Sequence, residues 1–314
     1  MDRAEHLLAA AAPGLLILAY SVVKTRISWR NQAVWTAFLL GGLGIFAALP
    51  LEIALHWAVN FAVASSTLWQ AGIVALLVAA IPEEGIKYLI LVGAVESHVD
   101  ARRRQDLIAL AAAVSLGFAT VENFGFIVIP AKWLSVAAIR SLTAVPGHGI
   151  DGLAMGALLT AARLQTRRRT VWAALALIVP IIMHAAYDFP PLVFKAAGAA
   201  ATYESWLTVF WPAVLTVESI IALGLCNWVL PAAKNADRQS GRDMEDATSS
   251  SLTGFIMIVL VVVAAISLVA ALSKGIVPLA LGIVLAILPL ALGIDFIWTE
   301  VRRHGDKDFF ASSP

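Results

Sequence analysis

The chain has 314 residues, of which 60% are hydrophobic and 14% are charged, and its net charge is +1. Soluble domains carry about 25% charged residues, so the composition excludes an ordinary soluble domain and predicts a polytopic α-helical protein in a lipid bilayer. The net charge of +1 by itself says nothing about nucleic acid, but the sequence has no basic stripe or RNA-binding motif, so no nucleic-acid partner is expected. The single cysteine, Cys226, excludes a disulfide framework within the chain.

Nine apolar segments have the length, about 20 residues, that a helix needs to cross a bilayer. They are 7–23, 34–56, 68–95, 106–129, 136–162, 171–193, 206–230, 253–273 and 276–299. Of the 22 lysine and arginine residues, 16 fall in loops on one side of these spans, four on the other and two within spans. The positive-inside rule then predicts an all-α transmembrane bundle with the N-terminus outside and the C-terminus in the cytoplasm.

These segments predict five parts along the chain. An N-terminal pair of spans (1–67) precedes a four-helix core (68–193), which is followed by a seventh span (194–231). The polar segment 232–251 is typical of a flexible cytoplasmic linker. It leads to a C-terminal transmembrane hairpin with a tail (252–314). No repeat of 20–50 residues is visible, which disfavours a transporter built from inverted repeats.

Charged residues interrupt the third span at 81–87, where the sequence reads IPEEGIK. Ionisable side chains inside a membrane span are costly, and their presence indicates function by default. Glu83 and Lys87 are four residues apart with the acid first, a spacing that pairs well on one helical face. Glu84 has no such partner nearby in the sequence. We therefore expect Lys87 to hold Glu83, and Glu84 to be the acid that takes up a proton in catalysis.

Three later spans carry further polar residues in apolar surroundings. They are Phe118, Glu122 and Asn123 in the fourth span, His148 and Asp151 in the fifth, and His184 and Asp188 in the sixth. At a helix rise of 1.5 Å per residue, five residues lie roughly 17–26 Å from the cytoplasmic end of their helices: Glu84, Glu122, His148, His184 and Asp188. A shared depth on four helices predicts one polar cluster inside the bundle.

Each of these residues also has a structural interpretation when it is considered alone. A single histidine such as His148 is more often a satisfied core residue than a functional one. The glycines at 149, 152 and 156 are more typical of close helix packing than of a substrate groove. Asp151 could orient His148 or pair with Arg140, and we expect Glu218 in the seventh span to be structural. The co-occurrence in one layer is what favours function.

The order of these residues resembles a known protein family. Its motifs correspond to Glu83-Glu84-x-x-Lys87, Phe118-x-x-x-Glu122-Asn123, His148 between glycines, and His184-x-x-x-Asp188. They resemble the PrsW family of intramembrane proteases, within the CAAX-protease and bacteriocin-processing superfamily. The resemblance covers 80–193, and Asp151 has no clear counterpart in it. It implies cleavage of a membrane-anchored protein, such as a single-span anti-sigma factor, in the bacterial cytoplasmic membrane.

The resemblance and the shared depth together predict the site residues. We expect the catalytic residues to be Glu83, Glu84, Glu122, His148, His184 and Asp188, with Lys87, Asn123, Phe118 and Asp151 in support. In the favoured mechanism, which needs no cofactor, Glu84 takes a proton from water and a histidine stabilises the tetrahedral oxyanion. Asp188, four residues after His184, would fix the tautomer of that imidazole.

Two alternatives use the same side chains differently. Zn²⁺ could be bound by His148, His184, Glu84 and Glu122 with one position left open for water. The spacing is not the His-Glu-x-x-His of soluble zinc proteases, so the sequence leaves the catalytic type open. An ion- or proton-coupled transporter would also use a buried Glu/His/Asp cluster. A catalytically inactive scaffold would be expected to have lost a motif acid or histidine, and none is lost here.

Overall fold

The computed structural model describes residues 3–24, 32–62, 67–95, 104, 106–127, 133–197 and 204–240. Within these ranges every regular element is helical, as the composition predicts. The helices are α1 (Arg3–Lys24), α2 (Gln32–Ala62), α3 (Thr67–Ile73), α4 (Ile81–Leu89), α5 (Asp106–Ile127), α6 (Trp133–Leu142), α7 (Ala144–Leu164), α8 (Arg169–Ala197) and α9 (Glu204–Gln239). The predicted spans 253–273 and 276–299 lie outside the described residues.

Four of these helices, α2, α5, α8 and α9, are long and apolar enough to cross a membrane. The total of nine spans and their orientation remain predictions. Helix α9 continues to Gln239, so the start of the segment predicted as a linker, 232–251, is helical. Asp237 near its end accepts hydrogen bonds from the backbone N–H and the guanidinium of Arg104, at 2.8 and 2.9 Å. This contact with the turn before α5 stabilises the last turns of α9.

Helices α5 and α7 form the centre of the bundle, because most of their side chains are buried. A helix that is apolar on all sides is typical of such a position. Small residues allow the two backbones to approach closely. A Cβ on Gly152 would lie 2.7 Å from the backbone oxygen of Ala111, and one on Gly156 would lie 2.6 Å from the Cα of Ile108. Both glycines therefore serve close helix packing.

The predicted fifth span, 136–162, is not a single helix. Thr143 has φ −127° and ψ −68°, which separates α6 from α7. Pro146 explains the break, because it has no N–H to bond the carbonyl of Leu142 and its ring would clash with that carbonyl in a continuous helix. Short α6 can therefore turn its last residues, including Arg140, toward the polar residues of the bundle.

The predicted third span is helical from Thr67 to Val95 but changes its winding twice. Segments Val74–Ala80 and Ile90–Val95 are π-helical and lie on either side of α4. The N–H of Ile81 accordingly bonds the carbonyl of Leu76, five residues earlier. Wide turns of this kind are rare in proteins, and those that occur often lie at functional sites. They set the rotation of α4, which buries Glu83, Glu84 and Lys87 inside the bundle.

Candidate active site

Lys87 lies at the centre of the polar cluster and is completely buried. Its Nζ atom is 2.6 Å from Oε1 of Glu84 and 3.5 Å from Oε2 of Glu83. The ammonium also lies 4.3 Å from the centroid of the Phe118 ring, a cation–π contact. Lys87 does pair with Glu83, as predicted, but the prediction that Glu84 is left without the lysine is wrong. Residues three apart also meet on a helical face, and here the i,i+3 pair is the closer one.

A first group of contacts, the inner cluster, consists of Glu84, Lys87 and His184. Nδ1 of His184 is 2.8 Å from Oε1 of Glu84, the same oxygen that Lys87 contacts. On the other side of the ring, Nε2 of His184 is 3.3 Å from Oδ2 of Asp188 and 3.9 Å from Oε2 of Glu83. The i,i+4 contact between His184 and Asp188 is the one that the sequence spacing predicts.

A second group, the outer cluster, consists of Glu122, Arg140 and His148. Oε2 of Glu122 is 2.7 Å from Nη2 of Arg140 and 3.0 Å from Nε2 of His148. Arg140 also donates through Nε to Oδ1 of Asn123 at 2.6 Å. Asn123 donates in turn to the backbone oxygen of Ala10 in α1, at 3.4 Å. The fork of the guanidinium thus holds the Glu122-Asn123 pair in one orientation.

Lys87 and His148 connect the two clusters. Nζ of Lys87 is 2.9 Å from Nδ1 of His148, and an ammonium can only donate, so Nδ1 accepts and the ring proton lies on Nε2. That Nε2–H then donates to Glu122, which fits the 3.0 Å distance. The rings of His148 and His184 are 5.1 Å apart and nearly perpendicular. One contact network therefore joins side chains from α4, α5, α6, α7 and α8.

Two residues considered in the sequence lie apart from this network. Asp151 is buried, but it bonds neither His148 nor Arg140, and its Oδ1 has no hydrogen-bond partner. Both roles expected for it are therefore absent, since Glu122 and Asn123 take the place beside Arg140. Glu218 is also buried, with an Oε1 that lacks a partner. Without hydrogen bonds to the network, both acids still interact electrostatically with His184 and Asp188.

Sequence reasoning missed three contributions to the site. Arg140 was considered only as a partner of Asp151. Tyr187 donates from its hydroxyl to Oγ1 of Thr143 at 2.9 Å, which connects α8 to the break between α6 and α7. Glu52 of α2 interacts electrostatically with Glu122 of the outer cluster, among other groups of the site. The sequence did contain an indication of this role, because Glu52 is an ionisable residue within the predicted span 34–56.

Four side chains have the geometry of a possible metal site. Glu83, Glu84, His148 and His184 each offer one ligand atom, and these atoms lie within 4.8 Å of one another. Their oxygen and nitrogen donors suit Zn²⁺. The ammonium of Lys87, however, already lies at hydrogen-bonding distance from Glu84 and His148, where it compensates the negative charge. A metal ion bound by these four side chains would compete with the ammonium of Lys87 for Glu84 and His148.

The ligand set expected from the sequence differs from these four residues by one member. Glu122 was expected among the ligands, and Glu83 was not. Glu122 instead bonds Arg140 and His148 in the outer cluster. The physical reason is the break at Thr143, which brings the guanidinium of Arg140 to the carboxylate that a metal would otherwise have to share.

The fold and the site together define a class: a helical membrane protein with carboxylates and imidazoles in mutual contact inside the bundle, an arrangement suited to acid–base hydrolysis. Residues 30–217 match the sequence profile described as "PrsW family intramembrane metalloprotease". The chain belongs to this family, and it is a bacterial membrane protease.

Individual relatives agree with the family match. Over 213 residues the chain is 28% identical to Protease PrsW of Halalkalibacterium halodurans, covering 68% of this chain and 95% of that protein. Over 182 residues it is 30% identical to Protease PrsW of Bacillus subtilis, covering 58% of this chain and 80% of that protein. No solved structure matches the chain significantly.

Proposed function

We propose that the chain cleaves a peptide bond of a membrane-anchored protein, with Glu83 as the general base of a glutamate mechanism. The observation that carries this proposal is the gap between Glu83 and His184. Oε2 of Glu83 lies 3.9 Å from Nε2 of His184 and 3.5 Å from Nζ of Lys87. The first distance is too long for a hydrogen bond and the second is at the limit for one, so Oε2 of Glu83 is held loosely and can accept a proton from a water.

Glu84, the base expected from the sequence, is less suited to that role. Its Oε1 receives both the Lys87 ammonium and the His184 ring at 2.6 and 2.8 Å, and the side chain is completely buried. Glu84 resists taking a proton, because loss of its negative charge would weaken the contacts with both the ammonium and the imidazole. Glu84 instead fixes the positions of Lys87 and His184 around Glu83.

The chemistry follows from these positions. Glu83 takes a proton from the water, whose oxygen attacks the carbonyl carbon of the scissile peptide bond. The Lys87 ammonium, near Glu83, stabilises the negative charge that develops on the carbonyl oxygen. Glu83 then returns its proton to the leaving nitrogen, so the C–N bond breaks into a carboxyl and an amino terminus. His148, held by Lys87 and Glu122, keeps Lys87 directed toward this position.

A zinc mechanism is the second candidate, because the family description names metalloproteases and four donors converge. It would require Lys87 to leave the position between these donors. The test is purified protein in detergent with a peptide reporter. We expect activity to survive an excess of chelator and the protein to contain less than one zinc per chain. Activity that is lost to the chelator and restored by stoichiometric Zn²⁺ would overturn the metal-free mechanism.

The substrate that the family resemblance favours is a single-span membrane protein, of which an anti-sigma factor is one example. We also propose that the enzyme spans the bacterial cytoplasmic membrane several times, with the N-terminus outside and the C-terminus inside. The 16-to-4 distribution of basic loop residues supports this orientation. Reporter fusions at Gln105 and Gln165 should both indicate the cytoplasm, and an external signal at either would contradict the orientation.

Cleavage itself can be tested without knowing the substrate. New protein termini are mapped in membranes of cells that produce the wild-type chain and of cells that produce Glu83→Gln. We expect new termini that appear only when Glu83 is present and that lie within or next to membrane spans. The absence of any such terminus, together with solute or proton flux through the purified protein in vesicles, would favour a transporter, the alternative use of the same side chains.

A further inference from the structure

Glu52 is the charged residue that α2 presents to the bundle. In the second half of α2, the buried or half-buried positions are Ala48, Glu52, Leu55 and Val59, which follow one another at three- or four-residue intervals. This spacing defines a single helical face. The side chains between them point away from the bundle, as Trp57 does with 76% of its surface exposed. Glu52 therefore lies on the inner face of α2.

The same face of α2 reaches the catalytic helices. About two turns before Glu52, a Cβ on Gly44 would lie 3.1 Å from Cγ2 of Ile86 in α4 and 3.6 Å from the ring of Phe118 in α5. Phe118 is the ring beneath the Lys87 ammonium. The carboxyl group of Glu52 accordingly interacts electrostatically with Glu122 of the outer cluster, with His184 and Lys87 of the inner cluster, and with Asp188.

One oxygen of Glu52 is chemically available. Oε1 is buried and has no hydrogen-bond partner, which is costly for a carboxyl group in apolar surroundings. Glu84, Asp151 and Glu218 also have such an oxygen, but these three side chains are almost completely enclosed. Glu52 is half-buried, on a helix whose neighbouring side chains face outward. Among these four acids it is the one with a partly exposed side chain, so its carboxyl group can turn toward a chain that arrives from the bilayer.

A substrate span needs a group of this kind. Its helix must unwind for the scissile bond to become accessible, and the unwound N–H groups then lose their acceptors. In a membrane no solvent replaces those acceptors, so the enzyme must supply them. The nearby acceptor oxygens Oε1 of Glu84, Oε2 of Glu122 and Oδ1 of Asn123 already accept from Lys87, His184, His148 or Arg140.

We propose that Oε1 of Glu52 accepts a hydrogen bond from a backbone N–H of the unwound substrate, which makes Glu52 a substrate-binding residue of the protease. This proposal rests on the proposed function. It does not depend on the protonation state of Glu52, because a neutral carboxyl group retains an acceptor oxygen.

The test compares Glu52→Leu with Glu52→Gln. The probe is a donor–quencher peptide made from the sequence around a terminus mapped as Glu83-dependent. We expect Glu52→Leu to raise KM about tenfold, the value of about one hydrogen bond, with a smaller change in kcat. Glu52→Gln keeps an acceptor oxygen and should stay within about threefold of the wild-type KM, whereas a role in proton transfer would make it as poor as Glu52→Leu.

Stability and binding measurements separate this role from a structural one. Leucine replaces an oxygen without a partner by apolar surface, so the melting temperature of Glu52→Leu should not fall. The matched control is Leu55→Ala on the same face, with KM expected to stay within about twofold of wild type. Binding can also be measured without cleavage in the Glu83→Gln background. The double variant Glu83→Gln/Glu52→Leu should bind less uncleaved peptide than the single variant Glu83→Gln. A wild-type KM and undiminished peptide binding in the Glu52→Leu variants would overturn the proposal.

The two proposals fail in different ways. If cleavage depends on Glu83 but the KM of Glu52→Leu equals that of the wild type, the proposed function stands and the substrate-binding role of Glu52 is wrong. If Glu83→Gln cleaves the peptide as well as the wild type, the proposed mechanism is wrong whatever the Glu52 variants do.

Discussion

The inner and outer clusters contain the same three kinds of side chain: a glutamate, a cation and a histidine. They differ in burial. The side chains of Lys87 and Glu84 are completely buried, whereas those of Arg140 and Glu122 are 15% and 16% exposed. Removing one partner of a fully buried pair leaves a charge that water cannot reach, while a partly exposed pair is screened. A substitution in the inner cluster should therefore cost more stability than one in the outer cluster. Glu83 lies beside the inner cluster and has longer contacts.

The largest expected effect concerns the two adjacent glutamates. Glu83→Gln should lower kcat/KM by about 10²–10⁴-fold, the range typical of a lost general base. Its melting temperature should change little, because the contacts of Glu83 are 3.5 and 3.9 Å long. Glu84→Gln is the matched variant, and it should lower the melting temperature markedly because Lys87 loses its closest counter-charge. The reverse result, with stability lost in Glu83→Gln and retained in Glu84→Gln, would return the role of base to Glu84.

Next in size is the effect of removing the cation of the inner cluster. Lys87→Met should reduce the free energy of unfolding by about 3–5 kcal/mol, since Glu84 would be left as an uncompensated buried charge. Thermal unfolding in detergent measures this loss. The double variant Lys87→Met/Glu84→Gln removes both charges and should recover part of it. A loss in the double variant equal to the sum of the two single losses would show that the 2.6 Å pair contributes no coupling.

The outer cluster should lose less stability when its cation is replaced by a shorter one of the same charge. Arg140→Lys keeps the positive charge but cannot bond Asn123 and Glu122 at the same time, as the guanidinium does. We expect a loss of about 1 kcal/mol, because both side chains of the Arg140–Glu122 pair are partly exposed. The same thermal measurement applies. A loss as large as that of Lys87→Met would contradict the difference between the clusters.

The smallest effect tests the contact that connects α8 to the break before α7. Tyr187→Phe removes the hydroxyl that donates to Thr143 at 2.9 Å and should cost about 0.5–1.5 kcal/mol. Because His184 and Arg140 lie on the two parts that this contact joins, a modest decrease in kcat is also expected. Thr143→Val is the matched variant for the acceptor side. Additive effects in the double variant would show that the two groups do not act together.

Much of the fold could be predicted from periodicity and length. The apolar segments 7–23, 34–56 and 171–193 lie within α1, α2 and α8, because apolar runs of membrane length have few conformations other than a helix. The break at Thr143 was missed, although Pro146 was a visible signal for it. The helical start of 232–251 was also missed, because the contact between Asp237 and Arg104 joins residues 133 positions apart.

The motif residues of the site were also accessible from the sequence, since charges inside apolar spans are conspicuous. The sequence alone determined that this is a helical membrane protein of the PrsW family with acids and histidines at one depth. Only the tertiary structure decided which groups touch. Helix rotation places Lys87 nearer Glu84 than Glu83, and it brings His184 to an acid 100 residues away in the chain. Sequence spacing leaves i,i+3 and i,i+4 pairs equally open, and only the packing of other helices around α4 selects between them.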